Sequence, residues 1–261
     1  MRVALISLNQ AWENKVDNFQ ACRSFVQRVK TEGVELVIFP EMTLTAFSMN
    51  TSETAEDFET SATVELFKEL AQEFQIAIVF GVVFLDNEKA TNNVLMVDSA
   101  GAIIGCYSKI HPFTFVGEDK VFNGGNKICI VKLNSVRIGL TICYDLRFPE
   151  IYSALGKNSE LIVNIANWPA QRIDHWYTLL KARAIENQLF VVGVNRTGKD
   201  GNGLEYIKSS QAINPNGELL SPAESEEEFD IYDIDPDFIS RFKHIFSTTQ
   251  DRNPLFYKSI L

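Results

Sequence analysis

Short runs rich in β-branched and aliphatic residues recur along the chain, many of them separated by stretches long enough for a helix. This alternation constrains the fold more than any other feature. Val3 to Leu8 reads as a strand, followed by a helix over Asn14 to Thr31 whose Val16, Phe19, Cys22, Phe25, Val26 and Val29 step by threes and fours. Gly33 ends that helix, and Leu36 to Phe39 is a buried strand stopped at Pro40. Further helices are expected over Ala62 to Phe74, Pro149 to Leu155 and Ile173 to Asn187. Further strands are expected over Ile76 to Leu85, Leu161 to Ile165 and Leu189 to Val194. Asn93 to Val97 and Ala102 to Ser108 form a hairpin about Asp98-Ser99-Ala100-Gly101, and Ile128 to Leu133 and Val136 to Ile142 form another about Asn134-Ser135. Ser210 to Ile213 and Gly217 to Leu220 turn at Asn214 to Gly217, and Glu228 to Asp233 is the last strand. Hairpins mixed with βα units predict an α/β fold with mixed sheets.

No repeat, low-complexity linker or composition break divides the 261 residues, so a single domain over 1–261 is expected, with 241–261 an irregular, aromatic arm that packs on a partner subunit. A net charge of -10, from 24 Lys+Arg against 34 Asp+Glu, argues against nucleic acid and anionic membrane as partners, because both demand a basic footprint. The acidic run at Glu224 and Glu226 to Glu228 reads as a solvated loop. Neither a secretory signal nor a bilayer-spanning apolar run stands out, which points to a cytoplasmic protein. No pair among Cys22, Cys106, Cys129 and Cys143 is spaced C-x-x-C, and reduced thiols are expected. The first three sit in apolar patterns as small buried hydrophobes.

Cys143 differs. Three β-rich runs each end at a reactive residue: Leu36 to Pro40 delivers Glu41, Ile103 to Ser108 delivers Lys109, and Val136 to Ile142 delivers Cys143. Strand ends in layered α/β folds hold such residues rigidly and let them converge. A carboxylate beside a thiol raises its thiolate fraction, and an ammonium with a backbone N–H stabilises the oxyanion formed by attack on an amide. Any one of the three alone is ordinary at a strand end. Around Cys143, however, strand, Cys143-Tyr144-Asp145 and helix start form a strand–turn–helix exposure that also sets the Tyr144 N–H beside the sulfur.

Phe39-Pro40-Glu41, Ser108-Lys109-Ile110-His111 and Ile142 to Glu150 (ICYDLRFPE) resemble the three motifs of the nitrilase, or carbon–nitrogen hydrolase, superfamily. Ala166-Asn167-Trp168-Pro169 and Ala182 to Gln188 are also similar to that family. Asn195-Arg196 through Gly203 resembles its bacterial omega-amidase branch, the 2-oxoglutaramate amidases. The resemblance implies a four-layer α-β-β-α sandwich that dimerises through helices flanking the site. It implies Glu41 as general base, Cys143 as nucleophile and Lys109 as oxyanion donor. Glu118 stands where that branch carries a second glutamate, which would orient Lys109 or the leaving amine; otherwise it is a loop carboxylate. Arg147 would clasp the distal acid of a dicarboxylate monoamide, or else form a structural salt bridge with Asp145, Glu150 or a carboxylate elsewhere. Trp168 is a pocket wall or a core residue, and with Tyr144 completes the candidate substrate-binding set.

No cofactor is implied. Gly198, Gly201 and Gly203 do not form a dinucleotide loop, and His111, His175 and His244 are too scattered for a zinc site. The expected activity is a cysteine-dependent omega-amidase. Another amidase, a carbamoylase, a deaminated-glutathione amidase and a non-catalytic scaffold of the same fold are the alternatives.

Overall fold

Residues 1–260 are described by the computed structural model. Strands β1 (Arg2–Ile6), β2 (Leu36–Ile38), β3 (Ala77–Asp86), β4 (Lys89–Val97) and β5 (Ile103–Ser108) belong to a first sheet. A second sheet takes β6 (Cys129–Leu133), β7 (Val136–Ile142), β8 (Leu161–Ala166) and β9 (Phe190–Asn195). After a two-stranded ribbon, β10 (Gly198–Lys199) and β11 (Glu205–Tyr206), the strand β12 (Gln211–Ile213) joins the second sheet. The chain then returns to the first sheet with β13 (Glu224–Ser225) and β14 (Phe229–Asp233). Strand orders are β13-β14-β1-β2-β3-β4-β5 and β12-β9-β8-β7-β6. Both sheets are mixed: β1-β2-β3 and β7-β8-β9 run parallel, and their flanking pairs are antiparallel.

Side-chain alternation along a strand builds the layers. Val3 and Leu5 of β1, Leu36 and Ile38 of β2 and Val79 of β3 face the second sheet. Ala4, Ile6, Val37, Phe39, Ile78 and Phe80 face the other way, onto the helices α1 (Lys15–Lys30) and α3 (Ala62–Phe74). Between them lies the single turn α2 (Thr51–Thr54). Asn14 caps α1 by accepting from the Asp17 N–H at 3.1 Å, and Ser61 caps α3 by accepting from the Val64 N–H at 3.1 Å. The second sheet is covered by α5 (Pro149–Leu155) and α6 (Ile173–Asn187), which bury Tyr152, Leu155, Trp176, Leu180 and Ala184. The order is therefore helix, sheet, sheet, helix. The remaining helices are α4 (Glu118–Val121), α7 (Asp237–Ile245) and α8 (Pro254–Ile260).

Several expectations need correction. The strand read from Asn93 begins at Lys89 and forms a hairpin with β3, because Asn87 takes the left-handed conformation (φ 56°) that the turn needs. Gly217 to Leu220 makes the turn but not the strand: only the isolated bridge Ile213–Leu219 pairs there. The segment from Arg241 is largely helical rather than irregular. Cys106 is exposed and Cys129 only half-buried, since β5 and β6 are edge strands of their sheets. Among the described residues no helix is long and apolar enough to cross a membrane.

Candidate active site

Glu41 follows β2 by three residues, Lys109 follows β5 at once, Cys143 follows β7 and Asn167 follows β8. Two sheets thus deliver four polar residues to one end of the sandwich. The loop carrying Glu41 is held by Gln10, whose Nε2 donates to the carbonyls of Glu41, Met42 and Thr43 at 3.1, 2.8 and 3.0 Å. It lies hard against β3: a Cβ on Gly81 would stand 2.3 Å from the Met42 nitrogen, so only glycine fits there without moving the loop.

Lys109 is the hub. Its Nζ donates to Glu41 Oε1 at 3.2 Å and to both Glu118 oxygens at 2.9 and 2.8 Å. All three side chains are buried, Glu41 and Glu118 completely. Buried carboxylates are costly unless they are paired and hydrogen-bonded. Asn92 Nδ2 donates to Glu41 at 2.7 Å and to Glu118 at 3.3 Å, and the Asn167 N–H donates to Glu41 Oε2 at 2.9 Å. The Phe113 N–H donates to Glu118. Burial works against the Lys109 ammonium, but Glu118 and Glu41 outweigh it and hold its pKa above the ordinary lysine value. Glu118 stands at the start of the short α4, not in a loop.

Cys143 opens a 3₁₀ turn, Cys143–Arg147, with φ at 45°, a left-handed conformation costly for a residue bearing a Cβ. Its sulfur lies 4.0 Å from the Asn167 carbonyl oxygen. Burial pushes its thiol well up and Glu41 pushes it further, while the Lys109 charge draws it down. In the resting site the neighbouring carboxylate therefore lowers the thiolate fraction instead of raising it, as the sequence leads one to expect. Asp145 fastens this turn to the segment bearing Lys109. Buried completely, it accepts from the Ile142 N–H at 3.0 Å, the Tyr107 hydroxyl at 2.7 Å and the His111 N–H at 3.1 Å, with His111 Nδ1 at 2.8 Å.

Lys109 and Cys143 open onto a small recess that Tyr144, Arg147 and Trp168 also line. The Arg147 guanidinium lies 4.9 Å from the Trp168 ring centroid and 5.8 Å from that of Tyr144. Its Nη2 is 3.2 Å from His175 Nδ1. Among the described residues no carboxylate pairs with it, which removes the structural salt bridge as its explanation; Asp145 is committed to Tyr107, His111 and Ile142. Trp168 is both wall and core, 3% exposed, with its ring 5.5 Å from that of Trp176. Every residue singled out in the sequence therefore falls at one place, the thiol and ammonium at the surface of the recess and the two glutamates behind. Asn92, Phe47, Phe113, Arg172 and Tyr206 were not singled out. The available signal for Asn92 is an asparagine pair leading an apolar strand, where asparagine is disfavoured. A thiol, a carboxylate, an ammonium and backbone donors in this arrangement can open a carbonyl compound by nucleophilic attack.

The carbon-nitrogen hydrolase profile matches residues 2–244. The chain belongs to the carbon-nitrogen hydrolase family. It is 37% identical to the omega-amidase YafV of Escherichia coli (strain B / BL21-DE3) over 195 residues, 75% of each chain. It is also 39% identical to a 2-oxoglutaramate amidase of Paenarthrobacter nicotinovorans over 167 residues, 62% of this chain and 56% of that one. A CN-hydrolase superfamily protein from Xanthomonas campestris, solved with an arsenic adduct in its active site, superposes with a TM-score of 0.90 at 29% identity over 97% of both chains. As a carbon-nitrogen hydrolase with amidase relatives at this identity, the protein is an amidase.

Proposed function

We propose that this amidase uses Cys143 to hydrolyse the terminal amide of a dicarboxylate monoamide of the 2-oxoglutaramate type, giving the acid and ammonia. The observation that carries this reading is a single recess with a thiol and an ammonium at its base and, on its wall, the Arg147 guanidinium, which has no carboxylate partner among the described residues. A guanidinium matches a carboxylate fork to fork, so an acid bound there would hold the far end of the substrate in place.

In the proposed cycle, Glu41 takes the Cys143 proton as the sulfur attacks the amide carbon. The oxyanion is held by the Lys109 ammonium and the Tyr144 N–H, an arrangement in which one lost donor costs about 3 kcal/mol of barrier. Glu41 returns the proton to nitrogen, the C–N bond breaks and ammonia leaves. Water then attacks the thioester, Glu41 takes its proton, and the C–S bond breaks as the thiol is restored. Glu118 keeps Lys109 charged and aimed through its two hydrogen bonds. Metal and organic cofactors play no part in this cycle.

We further propose that the enzyme is a homodimer whose contact includes the C-terminal helices, where Ile245, Phe246, Leu255, Phe256 and Ile260 are exposed.

Ammonia release measured on a panel of monoamides and N-carbamoyl amino acids tests the substrate reading. The expected result is turnover of 2-oxoglutaramate and its loss in Cys143→Ala. Undiminished turnover by Cys143→Ala would overturn the mechanism, and activity confined to N-carbamoyl amino acids would overturn the substrate class.

A further inference from the structure

A second guanidinium lines the recess. Arg172 ends the 3₁₀ turn Ala170–Arg172, and its backbone is pinned twice. Its N–H donates to the Pro169 carbonyl at 3.0 Å, and its carbonyl accepts from Trp168 Nε1 at 2.8 Å. Its side chain lies over Phe113, with the guanidinium carbon 5.5 Å from the ring centroid. The Phe113 ring is 4.6 Å from that of Tyr144, the ring that also carries Arg147. One continuous aromatic wall therefore supports both cations. Packing on ring faces orients a guanidinium while its in-plane N–H donors stay available. Like Arg147, Arg172 has no carboxylate partner among the described residues, and no aspartate or glutamate lines the recess. In a chain of net charge -10, this is a local reversal of sign at the entrance to the thiol.

We infer that Arg172 is a specificity-determining residue that, with Arg147, binds the remote acid group of the substrate. The inference rests on reading the enzyme as a monoamide amidase. One guanidinium satisfies the two outward lone pairs of a carboxylate. A second fork is matched when the acid carries another acceptor beside it, as the oxo oxygen of a 2-oxo acid does. The pair of arginines therefore selects 2-oxo acid amides over simple monoamides of equal length.

Steady-state kinetics of the wild type, Arg172→Met, Arg172→Lys and Arg147→Met on 2-oxoglutaramate, glutaramate and uncharged pentanamide test this. Arg172→Met is expected to raise KM for 2-oxoglutaramate about 10- to 100-fold with kcat held within about threefold. It should also narrow the preference for 2-oxoglutaramate over glutaramate, with Arg172→Lys recovering part of the loss. An unchanged KM in Arg172→Met beside a raised one in Arg147→Met would overturn the role of Arg172 alone. An equal fall on all three amides in both Arg172 variants would mark a merely structural residue and also overturn it. A wild type that hydrolyses pentanamide as well as either acid would instead overturn the underlying substrate reading.

Discussion

At the scale of single residues, acidity and catalysis can be pulled apart at Cys143. Its thiol is raised by burial and then by Glu41, both through charge and through a hydrogen bond, and only Lys109 opposes them. Below the thiol pKa the thiolate fraction grows tenfold per pH unit, so alkylation by iodoacetamide should still be climbing in the wild type at pH 9. Glu41→Gln removes two raising influences and keeps the lowering one. The thiol pKa must therefore fall and the alkylation curve move to lower pH. Turnover should move the opposite way, down by about 100-fold or more, because the proposed proton acceptor is gone. Measured together on one preparation, faster labelling with lost hydrolysis is the expected pattern. Slower labelling by Glu41→Gln would mean that Glu41 activates the resting thiol directly, and the electrostatic account would be wrong.

Among elements, the decisive contact is between β3 and the Glu41 loop. Gly81 exchanges hydrogen bonds with Thr43: its N–H donates to Thr43 Oγ1 at 2.8 Å, and its carbonyl accepts from the Thr43 N–H at 3.0 Å. Met42 and Ala46 in this loop have φ of 46° and 58°, so the path is strained and must be held from outside. Gly81→Ala forces the loop away by roughly the displacement that costs about 100-fold in rate. Overpacking should also destabilise the fold by about 1–3 kcal/mol, several degrees in Tm. Gly33→Ala is the control, since it strains a positive φ of 71° with nothing within 4 Å of the added carbon. It should lower Tm and spare kcat; equal kcat in both variants would refute the contact's role. This contact also marks where the sequence stops being readable. Strand ends at Glu41, Lys109 and Cys143 are visible as local patterns, as are the helices, because periodicity and caps are local. Asn92 bridging Glu41 and Glu118, or Asn167 reaching Glu41 across 126 positions, depends on how two sheets face each other. The same holds for Arg172, whose neighbour Phe113 is 59 positions away in the chain. The β3–β4 hairpin escaped for a different reason: its turn uses Asn87 and Glu88 without the glycine that usually announces one.

For the molecule as a whole, the unfinished surface is at the C-terminus. Helix α8 has seven residues and buries none of them, far below the length at which a helix persists unaided in water. Yet the chain just before it is anchored: Arg252 donates to Ser153 Oγ at 3.0 Å, the Glu186 carbonyl at 2.9 Å and Asn187 Oδ1 at 3.2 Å, on α5 and α6. An anchored segment that then exposes Leu255, Phe256 and Ile260, in a C-terminal region that also exposes Ile245 at the end of α7 and Phe246 just after it, leaves apolar side chains in need of cover. A second copy can supply it with the same side chains, as two-fold contacts do. Light scattering should therefore give twice the 29.5 kDa of the chain at micromolar concentration. Leu255→Glu combined with Phe256→Glu, which puts two charges there from each copy, should shift the mass toward a single chain. Because Arg252 ties this segment to α5, whose first residue follows the Cys143 turn by two positions, loss of the partner should also slow turnover. A double variant that stays dimeric with full activity would place the contact elsewhere on the molecule.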